Sequence, residues 1–253
     1  RDTDRSRGLG DVYKRQTKPS EVYKPGATLD RTLEYGGKTV PIYRDRPLNV
    51  FSDVDFIWTG EENENQRRLE YLGGEFRTRY GIDVSSFQGE IDWDAVADDN
   101  IGFAMVRVGF RGTGTGSLNT DKYYEQNIRG AMRAGLETGV YFFAQAVTVE
   151  EAIEEADYVI SLLDGLDING PVAYDWEMHD STYRVYGTSP EMATACAVAF
   201  CERIKDAGYT PMVYGGTYVT YMKYDQGALA DYLSWYPEYK SEKSEKLCPT
   251  LVY

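Results

Sequence analysis

Two carboxylates stand one residue apart in PVAYDWEMHD, Pro171 to Asp180, at Asp175 and Glu177, directly after an apolar run. In a strand, alternate side chains share a face, which brings the two Cβ atoms within about 6 to 7 Å. Like charges that close repel, so one acid is held protonated and its neighbour ionised, the division of roles that acid catalysis needs at neutral pH. A solvated strand end carries the same pattern, so the pair gains meaning only from what converges on it.

From Tyr80 onward, short apolar runs alternate with helical periodicity, the pattern of a βα-repeating sheet or barrel. The strand candidates are YGIDVS, GFAMVRVG, TGVYFFAQ, GPVAYDWE, TPMVYG and YLSWYPEY. Between them, helices are expected over Asp121 to Ala134, Val149 to Leu163 and Pro190 to Ala207, the second opening on Thr148 as cap with Glu151 three residues on. Each ends at a glycine: Gly135, Gly165 and Gly208. In such folds chemistry sits at the carboxyl ends of the strands. There the first strand offers Asp83, the third Tyr141 and Gln145, the fourth Asp175 and Glu177, the fifth Tyr214 and the sixth Trp235 and Tyr239. A purely structural rim has no need to gather three acids, so catalysis is the favoured reading.

Composition excludes other classes. A net charge of -14, with 41 acidic and 27 basic residues, speaks against a nucleic-acid partner. No apolar run approaches a membrane span. The 22 tyrosines suit sugar stacking as well as ordinary packing. Cys196, Cys201 and Cys248 are too few and too badly spaced for a zinc site or a disulfide framework and read as buried thiols. His179, the one histidine, binds substrate or faces solvent, and neither metal nor cofactor is expected. GFRGTGTGS, Gly109 to Ser117, lacks the Lys-Ser/Thr pair of a phosphate loop and reads as a flexible glycine loop. No G-x-S-x-G elbow occurs.

Residues 1–16 are set aside from fold reasoning as non-native, because DVYKRQ resembles translated sequencing-adapter DNA. Residues 17–79 read as a mostly irregular leader with too little apolar area for its own core, apart from a short helix over Glu61 to Leu72. Residues 80–253 are expected to form the catalytic unit, incomplete at its C-terminal end.

YGIDVSSFQGEIDW, FAMVRVGFRG, GVYFFAQA, EEAIEEADYVI and PVAYDWE, in this order and spacing, resemble glycoside hydrolase family 25, the Chalaropsis-type N-acetylmuramidases. The resemblance runs from about Tyr80 to Tyr253. It implies an α/β fold, a flattened TIM-like (β/α)5β3 barrel, and cleavage of the β-1,4 bond between N-acetylmuramic acid and N-acetylglucosamine. It further implies Glu177 as general acid, with Asp175 assisting the substrate's 2-acetamido group and Asp83 holding substrate or tuning the pair. Tyr141, Gln145, Tyr214, Trp235 and Tyr239 are the expected substrate contacts, and peptidoglycan glycan strands the expected partner. An extracellular or wall-located monomer is expected. The family's closing strands, with a W-Q-Y motif and a further rim aspartate, are expected to follow Tyr253, which would leave the strand around Asp83 with an open edge. Two rivals are a barrel that binds wall glycan without cutting it and a chitinase-like glycosidase. The D-x-x-D-x-D-x-E pattern of chitinases needs acids where Gly170 and Ala173 stand, which disfavours the latter.

Overall fold

The computed structural model describes residues 16–24, 31–35, 38–42, 53–60, 67–74 and 76–239. Upstream of the repeating part lie a one-turn helix α1 (Pro19–Val22) and two antiparallel hairpins, β1 (Arg31–Tyr35) with β2 (Lys38–Ile42) and β3 (Phe56–Thr59) with β4 (Arg68–Tyr71). The helix expected over 61–72 is therefore corrected for its second half. Arg68–Tyr71 is a strand because Phe56–Thr59 supplies a ladder and an aromatic partner, Phe56 and Tyr71 lying 5.3 Å apart between ring centroids. Residues 61–66 lie outside the described part. The hairpin docks through Arg68, which bonds Asp99 and lies over the Tyr80 ring.

The repeating part runs β5 (Gly81–Val84), α2 (Trp93–Asp98), β6 (Phe103–Arg111), β7 (Leu118–Thr120), α3 (Tyr124–Arg133), β8 (Glu137–Ala144), α4 (Val149–Leu162), β9 (Val172–Trp176), α5 (Pro190–Asp206), β10 (Pro211–Tyr214), α6 (Thr217–Met222) and β11 (Leu233–Trp235). The sheet order is β11-β10-β9-β8-β6-β5, parallel throughout, with β7 folded back antiparallel on β6. All six strand candidates and all three helix candidates are present. Five β/α units precede β11, as the barrel expectation requires. The short α2 and α6 and the strand β7 were not foreseen, since six residues or fewer carry no usable periodicity.

Strand alternation divides the sheet into two faces. Val106, Val140, Val172, Tyr174 and Trp176 face the helices and are fully buried. Met105, Asp83, Leu233 and Trp235 line the opposite, concave side. There a cavity of about 450 Å³ is walled by both outer strands, β5 and β11, so the sheet curls into a half-barrel. Among the described residues β5 pairs only with β6 and β11 only with β10.

The helices start and stop as the side chains direct. Thr148 accepts the Glu151 N–H, Ser189 accepts that of Met192, and Gly135, Gly165 and Gly208 all adopt positive φ just past their helices. Gly109 to Ser117, read as a flexible loop, is instead the end of β6 through Arg111 and the tight connection of the β6–β7 hairpin. Gly112 N–H bonds Ser117 O and Gly116 N–H bonds Gly112 O. Cys196 and Cys201 are free and buried, and Cys248 lies outside the described residues.

Candidate active site

The carboxyl ends of β5, β8, β9, β10 and β11 bring most of the expected residues together. Asp83 stands on β5 with its surface open to the cavity. Asp175 is the fourth residue of β9 and 6% exposed, and its Oδ1 has no hydrogen-bond partner among the described residues. Glu177 follows directly after β9 with a quarter of its side chain exposed. The deeper acid is thus Asp175, and the more exposed one is Glu177.

Burial raises all three carboxyls. Asp175 is held well above the ordinary range, first by burial, then by the charges of Glu177 and Asp83, against the pull of Arg107. Glu177 is raised by burial and drawn down by His179, whose Nε2 lies 3.9 Å from Glu177 Oε2. Asp83 is raised by desolvation from the surrounding walls, despite its open surface, against its own backbone hydrogen bond. The nearby Glu177 charge adds to the burial that raises Asp175, so the protonation state of one carboxyl bears on the other.

Aromatic rings wall the pair. Trp235 meets Tyr141 edge-on at 5.8 Å and Tyr214 edge-on at 5.1 Å between ring centroids. Tyr214 is hydrogen-bonded to Tyr239, which is 94% exposed at the rim. Both inner phenols are pushed up, chiefly by burial, and stay neutral donors at any physiological pH. His179 is mostly exposed and stacks edge-on against Tyr183.

Gln145 departs from its expected place. It is fully buried and donates its Nε2 to the backbone carbonyl of Glu177 at 2.8 Å, so it lies beneath the acid and not in contact with solvent. Its position at a strand end was legible, but its burial depends on α4, which packs over it.

Arg107 was missed. Alternation in FAMVRVG puts it on the same face as Met105, and a lone charge inside an apolar strand was the available signal. Its Nε donates to Asp121 at 2.8 Å, and its guanidinium lies over the rings of Phe87 and Phe110. Phe87 is 85% exposed, so this stack presents an aromatic ring to solvent beside the site.

A parallel α/β half-barrel with carboxyls and aromatic rings gathered at one end of its strands defines a class, the (β/α) fold with an acid-rich rim of the kind glycosidases use. The particular family follows from the sequence itself. The chain matches the family model "Glycosyl hydrolases family 25" over residues 82–250 and belongs to that family. It is 26% identical to an autolytic lysozyme of Clostridium acetobutylicum over 64% of this chain and 46% of that protein. It is 30% identical to Lysozyme M1 of Streptomyces globisporus over 43% of this chain and 36% of that protein. The chain thus spans less than half the length of these curated relatives. In fold it is similar to the Clostridium perfringens spore cortex lytic enzyme SleM, with a TM-score of 0.57 at 22% identity over 69% of this chain and 57% of that one.

Proposed function

We propose that this domain hydrolyses peptidoglycan, outside the cell or within the wall, by cutting the β-1,4 bond between N-acetylmuramic acid and N-acetylglucosamine. The observation that carries the reading is the placement of Asp175, buried, and Glu177, a quarter exposed, together at the end of β9 beside the ring cluster of Tyr141, Tyr214 and Trp235. Burial favours the protonated form of these acids, and a glycosidase needs a protonated carboxyl to give its proton to the leaving oxygen.

Glu177 is the general acid, because its side chain is the one of the pair that reaches solvent and hence a bound glycan. It passes its proton to the glycosidic oxygen as that bond breaks. The 2-acetamido oxygen of the sugar attacks the anomeric carbon from the other side, giving an oxazolinium ring, and Asp175 orients the acetamido N–H and stabilises the positive charge. Glu177, now a carboxylate, takes a proton from water as that water opens the ring. Asp83 faces this centre from β5, and Tyr141, Tyr214, Trp235 and Tyr239 offer ring faces and hydroxyls to the sugars.

Digestion of purified walls tests the assignment of the bond. Turbidity should fall, and mass spectrometry should find fragments ending in reducing N-acetylmuramic acid. Reducing N-acetylglucosamine ends would overturn it. Glycans stripped of their acetyl groups should resist cleavage. Recovery of a glycosyl azide of inverted anomeric configuration from Asp175→Ala would instead favour a carboxylate nucleophile.

A further inference from the structure

On the helix side of β8 and β9, ionic groups that take no part in the chemistry above converge on one short turn, residues 145–147. Gln145 N–H donates to Glu155 Oε1 at 3.0 Å, and Gln145 O accepts from Arg184 Nη1 at 2.8 Å. Ala146 O accepts from Trp176 Nε1 at 3.0 Å, and Val147 N–H donates to Glu151 Oε2 at 2.8 Å. Four of the five backbone polar groups from Gln145 N–H to Val147 N–H are therefore fixed by side chains from α4, from β9 and from the loop after β9.

The clamps are themselves clamped. Arg184 takes both oxygens of Glu151, at 2.7 and 2.9 Å. Arg111, at the end of β6, holds Glu155 through Nε at 2.7 Å and Glu154 through Nη2 at 2.7 Å. Glu151 and Glu155 lie four apart on one helix face, where two carboxylates repel unless each has its own cation. Arg184 also ties in the β6–β7 connection. Its N–H bonds Thr113 O, and a Cβ on Gly116 would come within 3.2 Å of its Cζ. Three strand-end loops are thus knotted around Arg184.

What this frame delivers toward the site is one bond, from Gln145 Nε2 to Glu177 O. Only the amide nitrogen can donate to a carbonyl, so the amide orientation is set and Gln145 Oε1 is left buried without a partner among the described residues. A residue that merely filled this volume would be better apolar, since an unsatisfied buried acceptor is a cost. The amide therefore has a positional use.

We propose that Gln145 is a positioning residue for Glu177, and that Glu151, Glu155 and Arg184 act on the reaction through it by holding the 145–147 turn. The proposal rests on the reading of Glu177 as general acid. Gln145 touches no substrate. It fixes where the backbone ahead of the carboxyl stands, and a displacement of about 1 Å at such a group lowers turnover on the order of 10²-fold.

The test uses the whole chain and Gln145→Met, which keeps volume and removes the donor. Turnover of wall glycan should fall about 10- to 100-fold while KM stays within about threefold and the thermal transition stays cooperative. Adding Glu151→Gln should cost little more, because Glu151 reaches Glu177 only through the turn that carries Gln145. In 13C-carboxyl NMR, the titration of the Glu177 side chain should move in Gln145→Met. A lowered melting temperature with unchanged turnover per folded molecule, strictly additive losses, or an unmoved Glu177 titration would each overturn the proposal. Glu177→Gln run alongside separates the two claims. If that variant keeps its turnover, the general-acid reading falls, and the NMR titration still decides whether Gln145 positions Glu177.

Discussion

Two clusters of carboxylates flank β8 and β9, one on each face of the sheet, and they are built on opposite rules. On the helix side, Glu151, Glu154 and Glu155 meet Arg184 and Arg111 at hydrogen-bond distance. On the concave side, Asp83, Asp175 and Glu177 face one another, and Arg107, the guanidinium that draws on Asp175, is committed to Asp121 at 2.8 Å. In the outer cluster geometry is fixed by opposite charge. In the inner one, like charge and burial hold back ionisation. Glu151 shows the outer rule: burial works to raise it, but Arg184 and the Val147 N–H outweigh that and hold it below the usual carboxylate range. Glu155 is the limiting case, pushed up to about 7 by complete burial even with Arg111 and the Gln145 N–H drawing it down. The contrast separates carboxylates that hold the scaffold from those that the proposed chemistry uses.

Breaking the inner cluster should have the largest effect. Glu177→Gln is expected to lower turnover about 10²- to 10⁴-fold with wall binding retained, measured by turbidity loss and by a wall pull-down. Retention of more than about a tenth of wild-type turnover would remove Glu177 from the role of acid.

Breaking the outer cluster at Arg111, the cation farther from the 145–147 turn, should act first on stability. Arg111→Met leaves Glu155 fully buried without its guanidinium, a change that costs about 3 to 5 kcal/mol in denaturant unfolding. A loss below about 1 kcal/mol would mean that the pair contributes packing alone.

The two rules also predict opposite dependences on pH. A carboxyl raised in the fold contributes stability that is fully present below its unfolded value, about 3.9 for Asp and 4.3 for Glu, and is lost as pH rises through its folded value. Asp175→Asn, neutral at every pH, should therefore melt above wild type at pH 7, with the gap closing as pH falls toward 4. Glu151, depressed in the fold, contributes stability above about 4.3 that disappears as pH falls through its folded value. The melting-temperature difference between wild type and Glu151→Gln should accordingly shrink in acid. Both trends are read from thermal melts across pH.

The smallest effect is expected at the surface pair Glu125 and Arg129 on α3, where both side chains are more than half exposed. Glu125→Gln should change stability by less than about 0.5 kcal/mol.

Much of this contrast could be read from the chain before folding, and what could not has a physical reason. The inner acids were legible because strand alternation and the strand-end rule place Asp83, Asp175 and Glu177 without tertiary information. Arg107 obeyed the same alternation and was passed over among apolar neighbours. The outer network was not legible, because nothing local to the α4 acids names their partners, Arg111, 40 residues upstream of Glu151, and Arg184, 33 downstream, which reach them only in the fold. Arg68–Tyr71 read as helical from its alternating charges, and only pairing with Phe56–Thr59 turned it into a strand.

The central claim is that the inner acids share protons while the paired outer Glu151 does not, and site-resolved 13C-carboxyl NMR titration tests it most directly. Asp175 and Glu177 should titrate above the ordinary values of about 3.9 and 4.3, in two steps that merge into one when Asp175→Asn removes the partner. Glu151 should titrate below its ordinary value in the same spectra. Independent titration of Asp175 and Glu177 at ordinary values, unchanged by substitution of either, would contradict the account.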